Sequence, residues 1–358
     1  MKIGIVTVYD SANFGSYLQS YALHLVLSEM GHEVYFISNP TPDKPYKRNF
    51  YKYPVNRNSL RHPVSVHPVS VWREYLAGRE KCRIFSSELK RFNVLDFSQA
   101  DQMDKIILGS DEIWNVTMPY LTNPFFYGEG MRNVYTYAVS MGKATADDYA
   151  AYPGLRENMS RIAHLLVRDQ HTADVVKEMT GHDSTVVCDP TFLVDVEKFH
   201  KELNDDYLKN NRYLLIYSYP GYITDEFKNN VISFARENNL KIVSACFYLD
   251  WCDYVINCSQ LEFCEVLKLA DYVVTTTFHG SIFSILNHKR FLSMPSGIKV
   301  TDIVTKLGLS HALIDSSCDS ETFKRKLSED EYDYESVEQR IMAMRKQGLE
   351  ELSKILQQ

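Results

Sequence analysis

Apolar and polar positions alternate along this chain in blocks whose period switches from strand to helix and back. Ile3–Val8 is a short apolar run, Tyr17–Met30 repeats with a helical period, Gly31 stops that helix, and Glu33–Ile37 is apolar again. A strand, a helix and a strand joined by short turns predict a right-handed crossover and a parallel sheet. The pattern predicts further strands at Lys105–Leu108, Val134–Ala138, His164–Val167 and Thr185–Cys188. It places helices over Arg73–Phe92, Ala146–Ala163 and Ala173–Met179.

The same grammar restarts in the second half. Strands are predicted at Arg212–Tyr217, Lys241–Ala245, Asp271–Thr275 and Arg290–Met294, with helices over Thr224–Asn238, Gln260–Leu269 and Gly280–Asn287. Two successive alternating halves make the expected fold class α/β, with two Rossmann-like domains facing a cleft. The boundaries read as 1–200 and 201–358, with the linker inside Asp195–Asn211, where polar residues accumulate, and a C-terminal helix from Tyr334. Thr41–Trp72 breaks the pattern with five prolines and little periodicity. From Lys44 to Arg73 it carries Lys44, Lys47, Arg48, Lys52, Arg57, Arg61 and Arg73 against very few acids. A solvated excursion and a lid touching an anionic or membrane-bound substrate are both open readings.

Composition narrows the function classes. A length of 358 residues accommodates two domains of ordinary size. The net charge of −7 argues against a general nucleic-acid binder, which needs a basic face. The 24 tyrosines suit carbohydrate contact and, equally, core edges. Met1-Lys2-Ile3-Gly4-Ile5-Val6 enters a strand directly and lacks the features of a signal peptide, and no apolar run is long enough to span a bilayer. Seven scattered cysteines lack a Cys-x-x-Cys pair, and the spacing of Cys246, Cys252, Cys258 and Cys264 fits no metal-ligand pattern. Reduced thiols in a cytoplasmic protein are expected.

Ligands of open parallel sheets sit at the carboxyl ends of strands, and four unusual segments fall at such ends. After the first strand, Asn13 or Ser16 can cap the helix and Gly15 lets backbone approach a ligand; no Gly-x-Gly-x-x-Gly is present, so a dinucleotide is not supported. Leu108-Gly109-Ser110-Asp111-Glu112-Ile113-Trp114-Asn115 delivers a carboxylate that can hold or deprotonate a sugar hydroxyl, with Trp114 offering a ring face. The alternative makes Asp111 a cap and Trp114 core. Arg168 follows a strand and matches a carboxylate or phosphate by its planar fork, unless it pairs internally with Asp169 or Asp189. Thr277-Phe278-His279-Gly280-Ser281 opens a helix after a buried strand, where His279 can protonate a substrate or bind phosphate, or be structural.

Taken in order, these motifs closely resemble the polysaccharide pyruvyltransferase family. The resemblance rests on Asn13-Phe14-Gly15 with Leu18-Gln19-Ser20-Tyr21-Ala22-Leu23, and on Gly109 to Asn115. It continues through Tyr137-Ala138-Val139-Ser140-Met141-Gly142, Val167-Arg168-Asp169, Asp189-Pro190-Thr191 and Thr277 to Ser281. It implies a GT-B-like fold, phosphoenolpyruvate as donor and a glycan or lipid-linked sugar as acceptor. It further implies donor contacts from Arg168, Thr277, Gly280, Ser281 and Lys299, and acceptor contacts from Asn13, Gly15, Gln19, Ser110 and Trp114. His279 and Asp111 are the expected proton donor and acceptor. Thr277 stands where some members carry arginine, which removes a positive charge that Lys299 can restore; Phe14 replaces the commoner tyrosine and Asp169 the commoner glutamate. The chemistry requires no cofactor and no metal. A lipid-linked acceptor would place the protein at the inner face of the membrane. The competing expectations are a glycosyltransferase of the same fold using a sugar nucleotide, and a non-catalytic member of an assembly complex.

Overall fold

The computed structural model describes residues 1–40, 68–295 and 297–357, with the side chains of 68–71 left aside. Both readings of the basic stretch rest on residues 41–67, outside the described residues. The chain divides into two compact units. Residues 1–40, 89–195 and 339–357 form the first, and residues 68–88 and 196–338, apart from Ser296, form the second.

β1 (Lys2–Val6) is buried from Ile3 onward, and Asn13 then caps α1 (Phe14–Glu29) by accepting from Gly15 N. β2 (Glu33–Ile37) returns beside β1. α2 (Pro68–Glu88) belongs to the second unit. β3 (Val94–Leu95), β4 (Lys105–Leu108) and β5 (Val134–Thr136) complete a fully parallel sheet of order β3-β2-β1-β4-β5. α3 (Pro153–Ser160), β6 (Leu166–Val167), α4 (Gln170–Thr180) and β7 (Thr185–Val186) follow. Single bridges from Asp111 to Val139 and from Val139 to Val167 carry the order on from β4 past β5 to β6.

Most elements shift by a few residues from their predicted extents, and three show a local reason. The helix expected over Ala146–Ala163 breaks into a 3-10 turn, Asp147–Ala151, and α3, because Pro153 has no N–H to continue a helix but suits its first turn. The helix expected from Arg73 begins at Pro68 for the same reason, and its end tightens into a 3-10 turn at Leu89–Arg91. β5 stops early because Ala138 takes a φ of +52°.

The second unit opens with α5 (Asp206–Asn210), β8 (Tyr213–Tyr217), α6 (Asp225–Glu237) and β9 (Lys241–Ala245). α6 shows the logic of these helices. Thr224 accepts from Phe227 N as N-cap, a contact that contributes about 1 kcal/mol. Phe227, Val231, Phe234 and Ala235 recur at helical spacing and are buried against Leu214, Ile216, Val274 and Leu292 of the sheet. Then come β10 (Tyr254–Ile256), α7 (Gln260–Leu269), β11 (Tyr272–Thr275), α8 (Phe278–Leu286), β12 (Arg290–Ser293), α9 (Ile298–Lys306) and α10 (Ser320–Lys324). The strands run parallel in the order β10-β9-β8-β11-β12. Each unit thus has its strand order reversing beside its first strand, which opens a crevice between β1 and β4 and between β8 and β11.

α11 (Tyr334–Gln357) starts in the second unit and ends in the first. In the first, Arg345 donates to the Phe192 carbonyl (2.7 Å) and the Val194 carbonyl (3.1 Å). All seven cysteines are free thiols. No helix among the described residues is long and apolar enough to cross a membrane.

Candidate active site

In the first unit charged groups gather from the ends of three strands, β4, β6 and β7. Gly109 makes this possible. It has a φ of +121°, and a Cβ there would lie 2.2 Å from the Tyr137 carbonyl oxygen, so only glycine lets the end of β4 pass β5 so closely. Asp111 follows with a φ of +79°, and its side chain keeps 19% of its surface exposed. Its carboxylate accepts from Ser16 Oγ (3.1 Å) and Glu112 N (2.9 Å).

Arg168, at the end of β6, has a side chain only 4% exposed. Its Nη1 lies 3.3 Å from Asp189 and 3.7 Å from Asp111. Burial works against its charge, but Asp189, Asp111, Glu112 and Asp169 outweigh it and hold the guanidinium above its ordinary pKa. The internal pair with Asp189 is therefore realised. Asp169 serves differently: it caps α4 through Thr172 N (2.8 Å) and accepts from Ser140 Oγ (2.7 Å).

Three residues expected to face an acceptor, Trp114, Gln19 and Ser110, do not. Trp114 is fully buried, stacked on Tyr127 at 5.8 Å, with its indole N–H donated to the Phe126 carbonyl. Gln19 is fully buried too, donating to the Ser16 carbonyl and Ser20 Oγ and accepting from Ser110 N and Oγ. It ties α1 to the loop after β4, and Ser110 is buried with it. All three side chains have their polar atoms satisfied inside the unit, which is why they pack rather than present. Asn13 and Gly15 begin α1, Asn13 half-exposed and Gly15 buried. The sequence offered Asp189 both within a motif and, beside Asp169, as an internal partner for Arg168, and the structure pairs Arg168 with Asp189. Its contact with Arg168 was signalled by an acid lying just beyond a strand.

In the second unit, β11 ends in a run of threonines that ties three strands together. Thr275 Oγ1 donates to the Tyr217 carbonyl (2.7 Å), and the hydroxyls of Ser218 and Thr276 meet at 2.9 Å across β8 and β11. Thr277 caps α8 by accepting from Gly280 N (2.9 Å). A Cβ on Gly280 would sit 2.2 Å from Thr275 Oγ1 and 2.6 Å from Thr277 Oγ1, so the helix starts here only with glycine. Ser281 Oγ donates to the Thr277 carbonyl (3.0 Å) and lies 2.8 Å from Ser293 Oγ at the end of β12. Thr277, Gly280 and Ser281 thus shape the helix start. His279 lies in the first turn of α8, 8% exposed, edge-on to the Phe278 ring at 5.1 Å. The Lys299 ammonium lies 5.2 Å from that same ring. An imidazole, an ammonium and the positive end of α8 therefore share one side of the second sheet, a setting suited to an anion. Among the described residues no cluster of His, Cys, Asp and Glu has the makings of a metal site.

The fold defined by these two units is that of the two-domain GT-B glycosyltransferases and related epimerases. The UDP-GlcNAc 2-epimerase of Neisseria meningitidis bound to UDP-GlcNAc superposes with a TM-score of 0.54 at 10% identity, covering 99% of this chain and 100% of that one. A putative UDP-N-acetylglucosamine 2-epimerase from Listeria monocytogenes gives 0.54 at 10% identity, covering 95% and 91%. UGT89C1 of Arabidopsis thaliana complexed with quercetin gives 0.51 at 13% identity, covering 99% of each chain. Comparison with curated proteins returned no match. The sequence model of the family described as polysaccharide pyruvyl transferase matches residues 13–297, and the chain belongs to that family.

Proposed function

We propose that this transferase moves a pyruvyl group from phosphoenolpyruvate onto a sugar of a polysaccharide or lipid-linked precursor, forming a ketal and releasing phosphate. The observation that carries the reading is the start of α8, where His279 and Lys299 flank Phe278 in a member of this family. A donor with a carboxylate and a phosphate needs cations, and oriented charge of this kind is usually the largest catalytic term.

The step balances as follows. A proton is added to the enol methylene, leaving a cation-like carbon that one sugar hydroxyl attacks as its own proton departs. The bond from that carbon to the phosphate oxygen then breaks, and a second hydroxyl closes the ring with loss of its proton. His279 is the proposed proton donor and Asp111 the proposed acceptor. Lys299 and the end of α8 bind the donor's anionic groups, and Arg168 contributes positive charge held in place by Asp189. Asn13 and Gly15 are the proposed acceptor contacts at the start of α1. The reading carries with it the cytoplasmic location expected from the sequence, at the membrane's inner face where the acceptor is lipid-linked.

The likeness to epimerases and glycosyltransferases concerns the fold, which hosts more than one chemistry. A thermal melt separates the readings. Phosphoenolpyruvate at ~100 times its dissociation constant is expected to stabilise the protein by about 2.7 kcal/mol, whether or not a UDP-sugar also binds. Stabilisation by a UDP-sugar with none from phosphoenolpyruvate favours glycosyl transfer.

A further inference from the structure

The second unit holds a buried cation that the proposed reaction does not use. Lys81, two turns before the end of α2, is 5% exposed. Its ammonium lies 4.6 Å from the Phe247 ring centre and 5.5 Å from that of Phe85. It also meets the Cys246 thiol, whose pKa is raised by burial against the pull of Lys81. Among the described residues it forms no ion pair. Of the acids one heptad away on the same helix face, Glu88 pairs with Lys201 at 3.0 Å, while burial and the nearby Asp250 raise the pKa of Glu74.

Among the described residues this buried ammonium faces ring faces and a thiol, which leave its charge incompletely compensated, and an arriving anion would complete it. Its place in the fold is informative. Cys246 and Phe247 directly follow β9, and Tyr219 follows β8, so this is the ligand-bearing edge of the sheet. Phe247 and Tyr219 are partly exposed, their ring centres 5.1 Å apart, and they offer flat apolar surface beside the charge. Ring faces with a polar tip suit the C–H face of a sugar. The site also adjoins the start of α8 within the same unit. Ser218, the residue before Tyr219, touches Thr276, and β8 separates β9 from β11. Two strand spacings put the Lys81 side and the His279 side about 10 Å apart.

We propose that Lys81, with Phe247 and Tyr219, binds a glycosyl phosphate: the phosphorylated end of the acceptor, whose free hydroxyls then lie toward His279. The word acceptor rests on the pyruvyl-transfer reading; the recognition of a sugar bearing phosphate does not.

Titration calorimetry on the full chain tests it with four probes: methyl glucoside, glucose 1-phosphate, UDP-glucose, and glucosyl pyrophosphate on a short prenyl chain. The phosphorylated probes are expected to bind about tenfold or more tightly than methyl glucoside, as one charge-assisted hydrogen bond implies. Lys81→Gln is expected to erase that preference while leaving the affinity for phosphoenolpyruvate unchanged. Should Lys81→Gln not fold, Tyr219→Ala at the partly exposed rim is expected to weaken glucose 1-phosphate binding without shifting the melting temperature. A folded Lys81→Gln that keeps the full preference overturns the site, as does a wild-type protein indifferent to phosphate. Tighter binding of the prenyl probe than of UDP-glucose identifies a carrier-linked source, and the reverse a nucleotide-linked one. Loss of phosphoenolpyruvate binding in the wild type counts against the transfer reading alone.

Discussion

Replacing His279 by alanine is expected to cut phosphoenolpyruvate-dependent phosphate release by about 100- to 10,000-fold, the usual worth of a positioned proton donor. The fold should survive it. His279 sits in the first turn of α8, whose start is built by Thr277, Gly280 and Ser281, and alanine is a good helix former there. The ring lies against Phe278, so some packing is lost, and the melting temperature serves as the control. His279→Gln, which can hydrogen-bond but not deliver a proton at neutral pH, should bind phosphoenolpyruvate more nearly as the wild type does and remain slow. A variant with near-normal turnover removes the assigned role.

The second large effect concerns the first unit's stability. Asp189→Ala removes the closer carboxylate from a guanidinium whose side chain is 4% exposed, leaving Asp111 at 3.7 Å. It also removes the acceptor of Thr191 N (3.1 Å) and Thr191 Oγ1 (2.8 Å), which hold the turn after β7. Breaking a buried pair from one side costs roughly 3–5 kcal/mol, since the remaining charge is left in a low-dielectric site. Urea unfolding measures the loss. The double change Arg168→Met with Asp189→Ala should be less destabilised than the sum of the single changes, because the stranded charge is gone. A loss below about 1 kcal/mol for Asp189→Ala would mean that Arg168 is held mainly by other groups.

Much of the fold was legible in local pattern. β2, β4, β9 and α7 have the extents their apolar blocks predict, because each is a short buried run closed by polar residues, or, in α7, opened by Ser259 with Glu262 as a capping box. Two of the misjudged boundaries lie at prolines, where Pro153 split one helix and Pro68 opened another earlier than periodicity suggested, and a third at Ala138, whose positive φ ends β5. Side-chain placement was less legible. Trp114 and Gln19 sit in loop and helix positions that read equally as ligand-facing or core, and only the packing of Tyr127 and the hydrogen bonds of Ser110 decide for core. Lys81 lies on a helix where lysine ordinarily faces water. Nothing in its spacing told that Phe247, 166 positions on, would cover it.

The account turns on what is transferred. Incubating the protein with phosphoenolpyruvate and a panel of glycosides and prenyl-linked sugar pyrophosphates, then weighing the products by mass spectrometry, reads this directly. The predicted result is one acceptor heavier by a single pyruvyl ketal, with phosphate released in equal amount and no product from the His279→Ala variant. Acceptors left unchanged by phosphoenolpyruvate, but extended by a hexose when a sugar nucleotide is supplied, would contradict it.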